Sequence, residues 1–181
     1  MNLFIFIIGL FIIVCLVLIW YSSTYNRYQT HIIRMNEAEA AIDSILRKRF
    51  DLLNKSINII KSNTEIEGEV LDVISKLRSK KLTNFELDRS LYDAINEFNI
   101  YKEDYPALRE VEAFTRVELG LNESESEIYA SRRYYNDIIT DYNKMARTFP
   151  SNIIALISRY EIKPYFDGKN MNDDILNDFK L

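Results

Sequence analysis

The chain opens on an unbroken apolar run and then changes to a mixed pattern with a helical period. Leu3 to Tyr21 carries no charged side chain, and as a helix rising about 1.5 Å per residue it spans about 28 Å, close to the ~30 Å hydrocarbon core of a bilayer. This predicts one membrane crossing, with Trp20 and Tyr21 at its C-terminal edge, where amphipathic rings favour the headgroup level. A cleaved signal peptide fits less well. Met1-Asn2 has no basic side chain, the run exceeds the ~7–15 residues of a signal core, and no small-x-small cleavage site comes after it. Lipoprotein processing at Cys15 is disfavoured by the bulky Val14 before it. From Leu10 to Glu67 there is neither Gly nor Pro, and apolar residues recur at Ala38, Ile42, Ile45/Leu46, Phe50, Leu53, Ile57 and Ile60. Spacings of three and four predict that the membrane helix runs on into the polar part of the chain.

Capping signals divide the polar part into further helices. Asn63 interrupts the first pattern, and Thr64-Glu65-Ile66-Glu67 reads as a capping box opening a second helix through Val70, Val73, Ile74 and Leu77. Thr83-Asn84-Phe85-Glu86 repeats the box after the basic stretch Lys76 to Lys81 and opens a third helix through Leu87, Leu91, Ile95 and Phe98. Asp104-Tyr105-Pro106 announces a fourth, which stops before Phe149-Pro150. Within it a seven-residue repeat joins Phe114, Leu121, Ile128, Tyr135, Tyr142 and Phe149, with Val117, Ser124, Ser131, Ile138 and Met145 three positions on. Ser124 and Ser131 would let a neighbouring helix come close, or bond back to their own i−4 carbonyls. Ser151 to Ile157 suits a short helix, and Lys163-Pro164-Tyr165-Phe166 ends the ordered chain. The expected fold is all-α: an N-terminal single transmembrane helix continuing into an elongated antiparallel, up-down four-helix bundle. Its expected divisions are an anchor over 1–23, a helical bundle over 24–166 and a flexible acidic tail over 167–181.

Composition narrows the picture further. Of 181 residues, about 160 lie outside the apolar run, enough for one ordinary domain. Four Gly and three Pro leave little material for the tight turns of a sandwich or barrel. Met1-Asn2 offers no Lys or Arg, whereas Arg27 and Arg34 come after the span, with Arg47, Lys48 and Arg49 beyond; the positive-inside bias therefore expects a cell-membrane protein with its helical domain in the cytoplasm and its N-terminus outside. The single Cys15 excludes an intramolecular disulfide without identifying a compartment.

Candidate chemistry is sparse. A di-metal carboxylate bundle needs two Glu-x-x-His motifs, but the only histidine is His31. Zinc sites fail for the same reason. A nucleophile paired with a histidine would have to use His31, expected to lie away from any pocket. Gly9, Gly68, Gly120 and Gly168 are too scattered for a phosphate loop. Glu123/Glu127 and Asp137/Asp141 pair carboxylates at i,i+4, a pattern that on an acidic helical chain reads as a solvated face. Arg47-Lys48-Arg49-Phe50 begins about 39 Å beyond Tyr21 on a continuous helix, several Debye lengths from the bilayer; pairing with Asp51 or with acids of the fourth helix is expected instead. A net charge of −4 gives no basic footprint for nucleic acid. Tyr135 and Tyr142 fall on the seam and, with Tyr134, read as core. No catalytic, cofactor-binding or metal residue is assigned.

Several motifs together resemble a known family. Tyr25-Asn26, Ile42-Asp43 and Leu46-Arg47-Lys48-Arg49-Phe50-Asp51-Leu52-Leu53 are similar to the N-terminal signature of the LemA family. Tyr105-Pro106, Phe114, Val117, Glu125-x-x-Ile128, Ala130, Arg132-Arg133-Tyr134-Tyr135-Asn136-Asp137 and Tyr142-Asn143 continue the resemblance. Phe149-Pro150, Asn152-Ile153-Ile154-Ala155 and Lys163-Pro164-Tyr165-Phe166 complete it, so that it runs from Tyr25 to Phe166. Two positions depart: Glu39 stands where the family usually has Trp, and Asn54 where it usually has Pro. The resemblance implies a bacterial-type, single-pass membrane protein with a long antiparallel helix bundle, a small external N-terminus and no established activity. The expected function is a non-enzymatic, membrane-anchored interaction or scaffold module, with the bilayer (through residues 3–21) and a protein as partners. The alternative is a sensor or accessory subunit holding a small molecule or lipid for a membrane enzyme. A filled seam favours the first, and an apolar cavity with convergent polar groups favours the second.

Overall fold

The computed structural model describes residues 2–63 and 83–166, and every regular element among them is helical. They are α1 (Asn2–Asn63), α2 (Asn84–Asp104), a 3₁₀ turn (Pro106–Glu110), α3 (Glu112–Arg147) and α4 (Asn152–Ser158). The helix expected from the Thr64 capping box, and the acidic tail, lie outside the described residues. Two compact units divide the chain, one holding the residues up to Glu37 with Tyr135–Tyr165, the other Ala38 to Tyr134 with Phe166.

In the first unit, α1 begins with the apolar run, whose side chains from Leu3 through Ile19 are exposed along nearly the whole stretch. Burial starts where polar residues appear. Thr24, Tyr28 and Met35 are buried at helical spacing. Tyr28 meets Tyr142 edge-on with ring centroids 5.8 Å apart and Tyr160 at 4.9 Å, while its hydroxyl donates to the Ser151 carbonyl at 3.2 Å. α4 stops at Arg159, which takes the left-handed conformation at φ 55°. The Tyr160 N–H then closes on the Ala155 carbonyl at 2.8 Å, a helix-ending arrangement usually given to Gly. Beyond it, the Asn143 amide donates to the Lys163 carbonyl at 2.8 Å and accepts from the Lys163 N–H at 2.9 Å, tying the segment after α4 to α3.

The second unit is built on a dense apolar interior. Ile42, Leu46, Leu53, Leu91, Phe114 and Ile128 are fully buried, and the rings of Phe98 and Phe114 lie 4.9 Å apart. Gly120 marks a close approach: a Cβ there would lie 3.1 Å from Leu52 Cδ1. Ser124 is buried as expected, but its hydroxyl donates to the i−3 carbonyl of Leu121 at 2.7 Å. The Thr83 box forms reciprocally at the start of α2, with Thr83 N–H on Glu86 Oε2 at 2.9 Å and Glu86 N–H on Thr83 Oγ1 at 3.3 Å. The bonds that the carboxylate accepts from Thr83 hold Glu86 below its ordinary pKa.

Four expectations are corrected. Pro106 opens a 3₁₀ turn rather than the long helix: Tyr105, held out of the helical region before a proline at φ −125° and ψ 75°, follows the end of α2, the turn buries Leu108, and extended Val111 separates it from α3. Phe149 falls past the end of α3 and is 80% exposed. The seven-residue rows stay buried as far as Ile138, Tyr142 and Met145, but they are too narrow: Tyr135 is half-buried, and Ile139, beside the second row, is fully buried, as in the wider apolar stripe of a core-facing helix. Phe50 is half-buried while its neighbour Arg49 takes the interior position.

Candidate functional site

A groove of about 420 Å³ lies within the first unit. One wall is a single face of α1, where Trp20, Thr24, Arg27 and His31 succeed one another at spacings of four, three and four. The other is the last two turns of α3, through Asp141, Lys144, Met145 and Thr148, and the turn into α4 at Pro150 and Ser151. Two hydroxyls in this wall are already engaged with carbonyls at and just past the C-terminal end of α3. Thr148 Oγ1 donates to Lys144 O at 2.8 Å, and Ser151 Oγ lies 2.7 Å from Met145 O and 2.9 Å from Thr148 O.

The charged groups are less committed. Arg27, Lys144 and Asp141 are exposed, and among the described residues none of them forms an ion pair. His31 is half-buried, with no hydrogen-bond partner for its Nδ1. Burial pushes the imidazole below its ordinary value, Asp141 pulls it back up, and Arg34 and Arg27 lower it. At neutral pH the groove therefore holds a neutral imidazole, two cations and one carboxylate. The expectation that His31 lies away from any pocket is corrected here. His31, Asp141 and Ser151 line one space, but no hydrogen bond joins Ser151 to His31; the serine hydroxyl is turned to the helix carbonyls.

Because His31 is the only histidine, its imidazole resonances can be followed without competing signals. We expect a titration midpoint below about 6.5, moving lower still in Asp141→Asn, where the raising influence is removed. The unfolded chain takes up this proton at higher pH than the folded one, so stability is fullest above the unfolded value and declines as pH falls through the window beneath it. A midpoint at or above the ordinary value would show that burial does not control the ring.

The second unit contains the pairing foreseen for the basic cluster. Arg49 Nη2 meets Glu125 Oε2 at 2.7 Å with its side chain only 2% exposed, and Lys48 Nζ lies 3.0 and 3.1 Å from the Glu127 oxygens. Arg47 pairs with Asp43 at 2.7 Å, not with Asp51. Glu123, Glu127, Asp137 and Asp141 lie on exposed positions, as expected of a solvated face. Of the three tyrosines, Tyr142 is buried, Tyr135 half-buried and Tyr134 half exposed. Sequence reading missed the ion pair of Asp88 with Arg132, both deeply placed, and the stacking of the Arg132 guanidinium 5.8 Å from the Phe166 ring centre.

The LemA family model matches residues 38–176, more than half of the chain. The chain belongs to the LemA family. It is also similar to Protein LemA of Metamycoplasma hominis, with 29% identity over 160 residues that cover 84% of this chain and 70% of that protein. The family match includes the α3 wall of the groove but begins after Trp20–His31. At the two positions that depart from the usual LemA pattern, Glu39 is exposed and Asn54 half-buried, and α1 continues through both.

Proposed function

We propose that this LemA-family chain is a single-pass membrane protein whose helical part acts in the cytoplasm as a non-enzymatic interaction module, with its N-terminus outside. The observation that carries this reading is α1 itself: one helix begins with an exposed apolar run of membrane-spanning length and continues into packed interior positions. The basic residues Arg27 and Arg34 close after the run support the sidedness. An antiparallel up-down bundle is supported by pairs that descend α3 as they ascend α1: Lys48 with Glu127, Arg49 with Glu125 and Leu52 with Gly120. The module reading is further supported by the seam residues of α3, such as Phe114, Val117, Leu121 and Ile128, which are taken up in internal packing. Exposed Leu119, Tyr129 and Tyr134 remain for a protein partner.

The test is thiol labelling in intact cells with a membrane-impermeant reagent, in a Cys15→Ser background. Asn2→Cys should react at once, and Glu123→Cys only after permeabilisation. The reverse pattern would invert the topology, and labelling of both in intact cells would remove the membrane from the reading. Cross-linking in the same membranes should capture the same protein reproducibly; turnover of a small substrate abolished by one carboxylate substitution would overturn the module reading. The groove favours the accessory alternative, in which a bound lipid or small molecule regulates that partner.

A further inference from the structure

The groove of the first unit lies at the level where the apolar run ends, and its chemistry is suited to a ligand found there. Trp20, its lowest residue on α1, marks the edge of the hydrocarbon; Thr24 is about 6 Å further along the helix and Arg27 about 10 Å. A headgroup layer is about 5–8 Å thick on each side of a bilayer. Helical side chains lean toward the N-terminus, so the long Arg27 side chain reaches back from its backbone position into that layer.

The other wall has a membrane-facing character of its own. Immediately beside Pro150 and Ser151, Phe149 is 80% exposed, and α4 leaves Leu156 82% and Ile157 63% exposed, with Ile153 also uncovered. Large apolar side chains gathered in so short a stretch are poorly suited to water, and they suit the boundary between headgroups and acyl chains. The same turn thus offers apolar groups to the acyl layer and polar groups to the headgroups.

We propose that this groove binds the headgroup of an anionic phospholipid, with Arg27 and Lys144 meeting the phosphate and exposed Asp141 receiving a hydroxyl donor of a polyol headgroup. The proposal rests on the reading that Leu3 to Tyr21 spans the bilayer. Charge selects the class: two cations against one carboxylate leave one positive charge, which a phosphodiester with a neutral polyol balances. A choline headgroup brings no N–H or O–H for Asp141, and its own cation cancels the phosphate. The groove volume of about 420 Å³ falls within the range of ordinary small-ligand sites, about 300–1,000 Å³.

The experiment uses the full-length protein in a neutral alkyl-glycoside detergent, titrated with phosphatidylglycerol or phosphatidylcholine and read by native mass spectrometry. Phosphatidylglycerol should bind about tenfold tighter or more, since each cation near an anionic headgroup contributes appreciably. The double variant Arg27→Gln/Lys144→Gln should lose this preference, and the charge-keeping Arg27→Lys/Lys144→Arg should retain it. Arg116→Gln/Arg133→Gln, with the same charge loss in the second unit, should leave it unchanged. Equal binding of the two lipids, or an unchanged preference in the double variant, would overturn the proposal. Displacement of the lipid by glycerol phosphate at comparable concentration would overturn the lipid as source and make the site one for soluble phosphate. Alkaline extraction of membranes reports separately on the anchor: release of the wild-type chain would overturn the spanning reading whatever the lipid preference, while retention of both wild type and double variant with loss of selectivity in the latter supports the headgroup site.

Discussion

Ile128→Asp is expected to destabilise the second unit by about 3–5 kcal/mol, because it places a carboxylate with no cation partner at a fully buried position. The substitution also removes an apolar side chain from the stretch of α3 that buries Leu121 and Ser124, so lost packing adds to the desolvation cost. Glu127→Ala, one residue away, is the contrast. Its side chain is 47% exposed and loses only a solvent-facing contact with Lys48, worth less than about 1 kcal/mol. Chemical denaturation of the two variants in the same detergent should separate them clearly. Equal shifts would mean that α3 packs through a different face.

The second large effect is expected at Asp88. Its side chain is 1% exposed and pairs with Arg132, itself only 12% exposed, so Asp88→Ala leaves a guanidinium deep in the unit without its anion. Removing one partner of a buried pair costs about 3–5 kcal/mol, whereas replacing both by apolar groups of similar size is often neutral. Asp88→Leu/Arg132→Met should accordingly recover most of what Asp88→Ala loses. The recovery need not be complete, because the Arg132 side chain also lies against the Phe166 ring. A double variant as unstable as the single one would show that the pair contributes through its shape rather than its charge.

What could be read from the residues alone depended on how local the responsible physics is. The absence of Gly and Pro through most of α1 and the Thr83 box are statements about neighbouring backbone groups, and both appear where the sequence places them. The heptad rows identified Phe114, Leu121, Ile128, Ile138 and Tyr142 correctly but missed Ile139, because the buried face of a core-facing helix is wider than two rows. Arg49 was legible as a pairing cation but not as an interior one: hydrophobic pattern reading assigns every charge to the surface, while its Glu125 partner, found only in three dimensions, permits burial. The groove was the least legible feature. Its α1 residues share a helical face and could have been grouped, but their counterparts lie more than a hundred positions later, and no spacing rule connects Arg27 with Lys144.

The position of Trp20 gives the groove an optical consequence. As the only tryptophan in the chain, it supplies a single indole emitter on the groove wall, distinguishable from the tyrosines by excitation at long wavelength. A headgroup settling beside it would displace water from the ring, shifting its emission to the blue, and brominated acyl chains would quench it according to their depth. Occupancy of the groove can therefore be followed in unmodified protein, with no dye or label introduced.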